Sequence, residues 1–303
     1  MTIFFIKNRK NDEIITEEGD KMAEITTVFK TDTETGITRD ITESVIVRDN
    51  KQIDYCIKQQ YINETYKDYG PFIFLLYTPG KELPFDILPA SLTRLIYLST
   101  FLSYRGFLVT DRGDSIDKES CKLLLKVSDD TFWDFWNEMI EHNIFTYTDE
   151  KRIHLNKQFF TKGKKSKEDI AMRLNCIAVR SLYENCKSVT GHKNLSYIFK
   201  AIPWINREWN IACWNPEEIE RNKIQYMRLG DFCDKVGYDR TNAKRLVKSL
   251  SHIKFTFSAE LCNKSAFLYV IDADVSPEQW IIVMNPLVYY GGKNYKNVTG
   301  FEF

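Results

Sequence analysis

The spacing of apolar residues changes from a strand-like to a helix-like pattern about a third of the way along the chain. Short alternating runs at 26–30 and 44–48, with a turn at 32–36 between them, predict a β-rich segment over residues 1–86. From residue 89 onward the apolar positions recur with a helical period, and Ser91 is a suitable N-cap for the first helix. The chain therefore combines strands and helices, and an α+β fold is expected.

The helical part contains two successive groups of elements of the same kind. The pattern predicts helices at 91–102, 118–125 and 130–142 and then a β-hairpin, 144–155. A single amphipathic helix is predicted from 168 to 186, after a basic stretch. Beyond it, the pattern predicts a stripe that ends before Pro203, helices at 229–236 and 240–251, strands at 254–259 and 267–271 around a turn at 262–265, and a last strand at 280–284.

Three helices followed by a β-hairpin is the element order of a winged helix-turn-helix, and it occurs twice. A sequence repeat supports this duplication: IHLNKQFFTKGK at 153–164 aligns without a gap with IVMNPLVYYGGK at 282–293. The predicted architecture is two winged helix-turn-helix units in tandem, joined by a helical linker, after a β-rich N-terminal segment. The predicted boundaries are 1–86, 87–165 for the first unit, 166–192 for the linker helix and 193–303 for the second unit.

The third helix of the second predicted unit carries a segregated basic face. Ala243, Leu246, Val247 and Leu250 share one side, whereas basic residues recur on the other. The window 221–254 contains nine basic and three acidic residues, although Lys+Arg and Asp+Glu are equal at 42 each in the whole chain. In a helix-turn-helix protein, such a helix supplies hydrogen-bond donors for base edges and phosphates. The alternative interpretation is a basic helix face that contacts only solvent. The candidate DNA-binding residues are Arg240, Thr241, Asn242, Lys244, Arg245, Lys248 and, in the wing, Lys264.

The first predicted unit has the opposite charge. The window 117–142 contains three basic and seven acidic residues, and its third helix would repel phosphate in a DNA groove. Phe132, Trp133, Phe135, Trp136 and Met139 exceed what a single buried stripe needs. We therefore expect this unit to mediate dimerisation or to bind a replication or transcription protein.

The composition excludes several other classes of protein. The seven cysteines are an odd number and widely spaced, which is typical of small apolar residues in a reducing cytosol. No signal peptide or apolar run of membrane-spanning length is found, so a cytoplasmic protein without membrane association is expected. The motifs of nucleotide-binding loops, dinucleotide folds, metalloproteases and serine hydrolases are absent, and the four histidines are isolated. An Asp272/Asp274 carboxylate pair suits a loop better than a metal site. We therefore expect no enzyme activity, cofactor or metal.

Three motifs carry a resemblance to known proteins. They are CWNPE at 213–217, GYDRTNAKRL at 237–246 and the closing NPLVYYG at 285–291. Together they resemble tandem winged-helix DNA-binding proteins of low-GC Gram-positive phages and plasmids, and the closing motif resembles plasmid replication initiators of the RepL type. The resemblance covers residues 87–303 and implies binding to an origin or operator. The acidic first unit departs from a DNA-binding pattern.

These observations lead to two alternative functions. The first is sequence-specific binding to double-stranded DNA by a homodimer that acts as a replication initiator or transcription regulator. The second is a protein–protein adaptor that recruits a polymerase or helicase without reading DNA. The two differ in whether the basic face at 240–251 contacts nucleic acid.

Overall fold

The computed structural model describes two compact units, residues 1–64 and 65–303. The described residues are 3–8, 26–31, 38–40, 67, 69–148, 152–270, 280–292 and 295–298. Within them the fold is mixed α+β, with seven α-helices and several small antiparallel sheets.

The first unit contains a three-stranded antiparallel sheet. Its strands are Ile3–Asn8 (β1), Thr26–Thr31 (β2) and Thr38–Asp40 (β3), with β2 in the middle. The strand predicted at 26–30 is confirmed, whereas the alternation pattern did not predict β1. The strand predicted at 44–48 and the turn at 32–36 lie outside the described residues.

The second unit contains two successive sets of elements, which we call half 1 and half 2. Half 1 consists of Phe72–Leu76 (β4), Pro89–Ser99 (α1), Lys118–Leu125 (α2), Asp129–Glu141 (α3), Phe145–Tyr147 (β5), Ile153–Leu155 (β6) and Phe160–Thr161 (β7). Half 2 consists of Ala171–Asn175 (β8), Cys176–Asn185 (α4), Val189–Lys200 (α5), Leu229–Val236 (α6), Ala243–Ser251 (α7), Lys254–Phe255 (β9), Lys264–Ser265 (β10), Phe267–Val270 (β11), Ile281–Met284 (β12) and Tyr289–Tyr290 (β13).

One four-stranded sheet joins the two halves. Its order is β13-β8-β4-β7, so each half contributes one central and one edge strand. The central pair is antiparallel with Phe74 opposite Arg173. Leu75 of β4 pairs with Phe160, and Leu174 of β8 pairs with Tyr289. The sheet is therefore built by both halves and belongs to neither alone.

The hydrogen bonds of this sheet repeat from one half to the other. The Leu76 N–H donates to the Phe159 carbonyl at 2.8 Å, and the Asn175 N–H donates to the Val288 carbonyl at 3.0 Å. Phe160 and Tyr289 are equivalent residues of the sequence repeat, and in both halves the acceptor is the residue directly before them. The two edges of the sheet are therefore related by an approximate two-fold axis through the central strand pair.

The asparagine of the sequence repeat has the same role in both halves. Asn156 accepts the Gln158 N–H at 3.0 Å and donates its amide to the Asn143 carbonyl at 3.0 Å. Asn285 accepts the Leu287 N–H at 2.9 Å and donates its amide to the Ser265 carbonyl at 2.8 Å. Each asparagine fixes the turn between a hairpin and an edge strand of the shared sheet.

The core of the second unit is continuous across the two halves. Helix α1 packs against α5, and all nine residues from Ser91 to Ser99 are buried. The Thr93 hydroxyl donates to the His192 carbonyl at 2.7 Å. A helix that is buried on every side lies inside a core and has no solvent face.

The first helix begins earlier than its predicted cap. Ser91 is buried inside α1, and the helix starts at Pro89 after Leu88. Proline is favoured in the first helical turn because its missing N–H has no partner there in any case. Ser91 was therefore wrongly predicted as the N-cap.

The linker helix predicted at 166–192 is also wrong in part. Residues 171–175 form strand β8 in the centre of the shared sheet, and the helix begins only at Cys176. Asn175 ends the strand and caps the helix, because its side chain accepts the N–H groups of Ile177 at 2.9 Å and Ala178 at 3.1 Å. The strand is short, and Ile170, Leu174 and Ile177 match a helical period as well as a strand, so spacing alone did not distinguish the two.

Candidate nucleic-acid interface

The predicted reading helix of half 2 follows a tight turn after α6. Gly237 ends α6 in the left-handed conformation at φ 73°, which a residue without a side chain adopts without strain. Arg240–Asn242 then form a 3-10 turn that leads into α7. The helix predicted at 240–251 is thus present, with its first three residues in the tighter form. Its start is fixed by Asp239, which accepts the Thr241 N–H at 2.9 Å.

Helix α7 separates apolar and cationic side chains as its sequence predicted. Its four apolar residues, Ala243, Leu246, Val247 and Leu250, are at most 4% exposed. Lys244, Arg245 and Lys248 are exposed on the opposite side. No described residue forms an ion pair or hydrogen bond with the charged end of any of the three. Their cationic groups are therefore available to a ligand outside this chain.

The other candidates on this segment hold the turn itself. Arg240 Nη1 lies 3.2 Å from Asp231 and 3.1 Å from Asp234, both on α6. The Thr241 hydroxyl and the Asn242 amide donate to the Asp239 carboxylate at 2.7 and 2.8 Å. The hydrogen bonds from Thr241 hold the pKa of the Asp239 carboxyl below its usual value.

Arg240 also lies against the backbone of α6. A Cβ atom at Gly230 would lie only 2.6 Å from Arg240 Nε, so the guanidinium occupies the space that a side chain would take. Gly230 and Arg240 therefore form a close contact between α6 and the turn. These contacts hold the turn that leads into α7, and Arg240 is also one of the candidate DNA-binding residues of the sequence analysis.

Arg240→Ala should lower the free energy of unfolding by about 1 kcal/mol, because both ion pairs are partly exposed and each contributes little. Under the hypothesis that α7 contacts DNA, the variant should weaken binding equally for all sequences, because α7 is misplaced and no base contact is lost. Urea unfolding and binding to two unrelated duplexes measure these effects. Lys244→Ala, which removes no described ion pair, is the matched control for stability. Unchanged stability with altered base preference would show that Arg240 contacts a base.

The predicted wing has a different register from the one expected. β9 pairs with β10, with Lys264 opposite Phe255, so the residues predicted as the turn at 262–265 include a strand. The Phe257 N–H donates to the Leu261 carbonyl at 2.9 Å, which places the turn earlier. β11 pairs with β12 and not with the first wing strand. The error arose because alternation identifies strands but does not determine which strands pair. Lys264 lies on the short hairpin that follows α7.

Half 1 contains an equivalent turn and helix. Lys126 ends α2 in the left-handed conformation at φ 53°, as Gly237 does in half 2. Ser128 then caps α3 by accepting the Thr131 N–H. A shift of 111 positions superposes the buried residues of the two helices: Phe132, Phe135, Trp136 and Met139 correspond to Ala243, Leu246, Val247 and Leu250.

The exposed side of α3 differs from that of α7 in charge and in hydrophobicity. Asp130, Trp133 and Asp134 occupy the positions of Thr241, Lys244 and Arg245. Trp133 is 52% exposed, and Lys118 Nζ lies 3.5 Å from the centre of its ring. Of the aromatic residues that appeared excessive in the sequence, Phe132, Phe135 and Trp136 are core residues. Trp133 alone is the surplus that the sequence predicted.

The other chemically versatile residues are structural. Four cysteines, Cys121, Cys176, Cys213 and Cys233, are buried with free thiols, and burial raises the pKa of each. Across residues 69–148 and 152–270, no group of three His, Cys, Asp or Glu side chains is arranged to hold a metal ion. Asp272 and Asp274 lie outside the described residues.

One groove is bordered by an arginine whose contacts the sequence did not predict. A groove of about 620 Å³ lies beside Arg180 on α4. Arg180 Nη1 contacts the Asp111 carboxylate at 2.9 Å, while Nε and Nη2 donate to Thr100 at 2.9 and 3.0 Å. Because its guanidinium is already satisfied, Arg180 joins half 1 to α4 and is not available to bind an anion in the groove.

No protein-family model, curated protein or solved structure matches this chain. Among the helices of the described ranges, none has both the length and the apolar character needed to cross a membrane. The evidence for a function therefore comes from the sequence of this chain and from the arrangement of its residues.

Proposed function

We propose that this chain is a sequence-specific double-stranded-DNA-binding protein with two winged helix-turn-helix units in tandem. Each half has three helices in succession, α1, α2 and α3 or α5, α6 and α7, followed by a hairpin. A left-handed residue, Lys126 or Gly237, ends the second helix of each set. That order is the one by which winged-helix proteins present their third helix to the major groove. The equivalent buried positions of α3 and α7 support the assignment of both halves to the same motif.

The observation that carries the proposal is the cationic face of α7. Lys244, Arg245 and Lys248 project from a helix whose other side is fully packed, and no described residue neutralises them. A rigid helix with three unpaired cations on one side matches the negative potential of a DNA groove. Lys244 lies in the first turn of the helix, where base edges are in reach, whereas Arg245 and Lys248 suit phosphates. In this proposal Lys264, on the hairpin that follows α7, contacts the flanking DNA backbone.

The biological role rests on the resemblance in sequence. The resemblance implies an origin or an operator as the target, so we propose replication initiation or transcription regulation in a phage or plasmid. Selection of bound sequences from random duplexes would yield the DNA site. Its place next to an origin or a promoter then distinguishes the two roles.

The triple variant Lys244→Ala/Arg245→Ala/Lys248→Ala tests the DNA-binding face. Each phosphate contact contributes about 0.9 to the slope of log affinity against log salt, so the slope should become shallower by up to about three. Fluorescence anisotropy with a duplex of about 30 base pairs across a salt series measures this. The triple variant Lys81→Ala/Lys187→Ala/Lys193→Ala removes the same charge from exposed positions elsewhere and should bind like the wild type. Equal loss in both variants, or no binding by the wild type at low salt, would refute the assignment.

A second function is favoured by the exposed face of α3. Trp133 between Asp130 and Asp134 is a surface that repels phosphate and suits a protein. In this alternative the chain is an adaptor that recruits a polymerase or helicase. A purified protein that retains one dominant partner but does not bind heparin would favour the adaptor over the DNA reader.

A further inference from the structure

The two equivalent helices α3 and α7 carry opposite charges at matching positions. We call Asp130, Trp133, Asp134, Asn137 and Glu141 the acidic face, and Thr241, Lys244, Arg245, Lys248 and His252 the basic face. Every one of these ten residues is exposed. Within the described residues, no ion pair involves Asp130, Asp134 or the three cations of the basic face. The net charge of the whole chain is zero, whereas these two faces carry opposite charges on equivalent helices.

We propose that the basic face of one copy of this chain binds the acidic face of a second copy. Opposite charges on two rigid helices attract and fix orientation. Contact between two acidic faces would bring Asp130 and Asp134 against their own equivalents, and contact between two basic faces would do the same for Lys244 and Arg245. Both symmetric arrangements are repulsive, so charge selects the heterologous one.

Trp133 supports the basic face of a second copy as the partner of the acidic face. Its ring already accepts the Lys118 ammonium at 3.5 Å on part of its surface, and 52% of the residue remains exposed. The exposed part of an indole flanked by two carboxylates suits a lysine or arginine side chain of the second copy, because ring and carboxylates attract the same cation. Lys244 and Arg245, adjacent on the basic face, provide such cations at neighbouring positions of α7.

This contact has a consequence for the proposed DNA-binding function. The residues that would contact DNA are those that the second copy covers, so duplex DNA and a second copy compete for the basic face. Self-association is then a device that keeps the reading helix occupied until DNA displaces it. The self-association itself does not depend on DNA binding, so the two claims can fail separately.

Paired charge reversals test the contact. Sedimentation velocity at about 50 mM salt should show concentration-dependent association of the wild type that is lost at about 500 mM, where charges are screened within a few ångström. Asp130→Lys/Asp134→Lys and Lys244→Glu/Arg245→Glu should each be monomeric alone, and their equimolar mixture should associate. Glu82→Lys/Glu184→Lys, with the same charge change at exposed sites elsewhere, should associate like the wild type.

The neutral variant Asp130→Asn/Asp134→Asn keeps the shape of α3 and should weaken self-association at least tenfold while leaving binding to a duplex intact. A wild type that stays monomeric at low salt would overturn the proposal, as would association of either reversed variant alone. A mixture that fails to associate would overturn it equally, provided that each variant shows the thermal unfolding of a folded protein. If the mixture associates but the wild type binds no duplex, the proposed function fails and the contact stands.

Discussion

Neither half of the 65–303 unit should fold alone: fragments 65–166 and 167–303 are expected to lack a cooperative unfolding transition. The reason is that α1, with all residues from Ser91 to Ser99 buried, is covered largely by α5 of the other half. The shared sheet would also be cut between β4 and β8, which exposes the apolar residues Ile73, Leu75, Met172 and Leu174 on both fragments. Circular dichroism during thermal unfolding of each purified fragment measures this result.

A nicked chain is the control for this prediction. A protease site inserted at 164–167, an exposed connection between the halves, breaks the backbone at the same place but leaves both parts present. The cleaved protein should remain associated through the sheet and the α1–α5 contact and should unfold in one transition. If fragment 65–166 instead unfolds cooperatively by itself, the halves are independent domains that merely touch.

The extent to which sequence predicted this fold follows from the range of each interaction. Helices α2, α3, α6 and α7 were found because their apolar period, capping residues and turn residues are local. The shared sheet was not, because a strand such as β8 is defined by partners about 100 residues away, β4 on one side and β13 on the other. The sequence repeat at 153–164 and 282–293 was the one local trace of that sheet, since it marks both edge strands.

The candidate site shows the same limit at the level of single residues. The face of α7 that bears Lys244 and Lys248 follows from helical periodicity alone. The position of Arg240 did not, since only the folded structure brings its guanidinium close to Asp231 and Asp234. A basic residue at the start of a predicted reading helix is compatible with contacting DNA and with holding the helix. The distinction depends on contacts with side chains of the preceding helix, and the spacing of residues within one helix does not predict such contacts.

Alkaline unfolding should be steep, because many acidic protons are buried in the second unit. Among the described tyrosines, burial raises the pKa of five hydroxyls most strongly above their usual value of about 10, with that of Tyr97 near 12. The others are Tyr69, Tyr77, Tyr183 and Tyr289. Burial also raises the pKa of buried thiols above their usual value of about 8.5. The pKa of Cys176 is near 11, and those of Cys213 and Cys233 are near 12.

The sign follows from proton binding. A group with a raised pKa in the folded protein holds its proton where the unfolded chain has already lost it, so stability is complete below the unfolded pKa and falls above it. Between its unfolded and its folded pKa, each such group lowers the free energy of unfolding by about 1.4 kcal/mol per pH unit. At pH 11 the five phenols alone should therefore remove about 7 kcal/mol, which is comparable to the total stability of a typical domain.

Tyr289→Phe isolates one group of this set. Tyr289 is fully buried and its hydroxyl donates to the Ile198 carbonyl at 3.0 Å, so the variant should lose about 1 kcal/mol at neutral pH. Between pH 10 and 12, however, its free energy of unfolding should fall less steeply than that of the wild type by about 1.4 kcal/mol per pH unit, because one proton fewer is released. Urea unfolding at a series of pH values gives the slopes, and absorbance at the tyrosinate band should rise together with loss of helical circular dichroism. Tyrosinate that forms while the helices persist would show that these phenols ionise inside the folded protein, and the buried set would then not control alkaline stability.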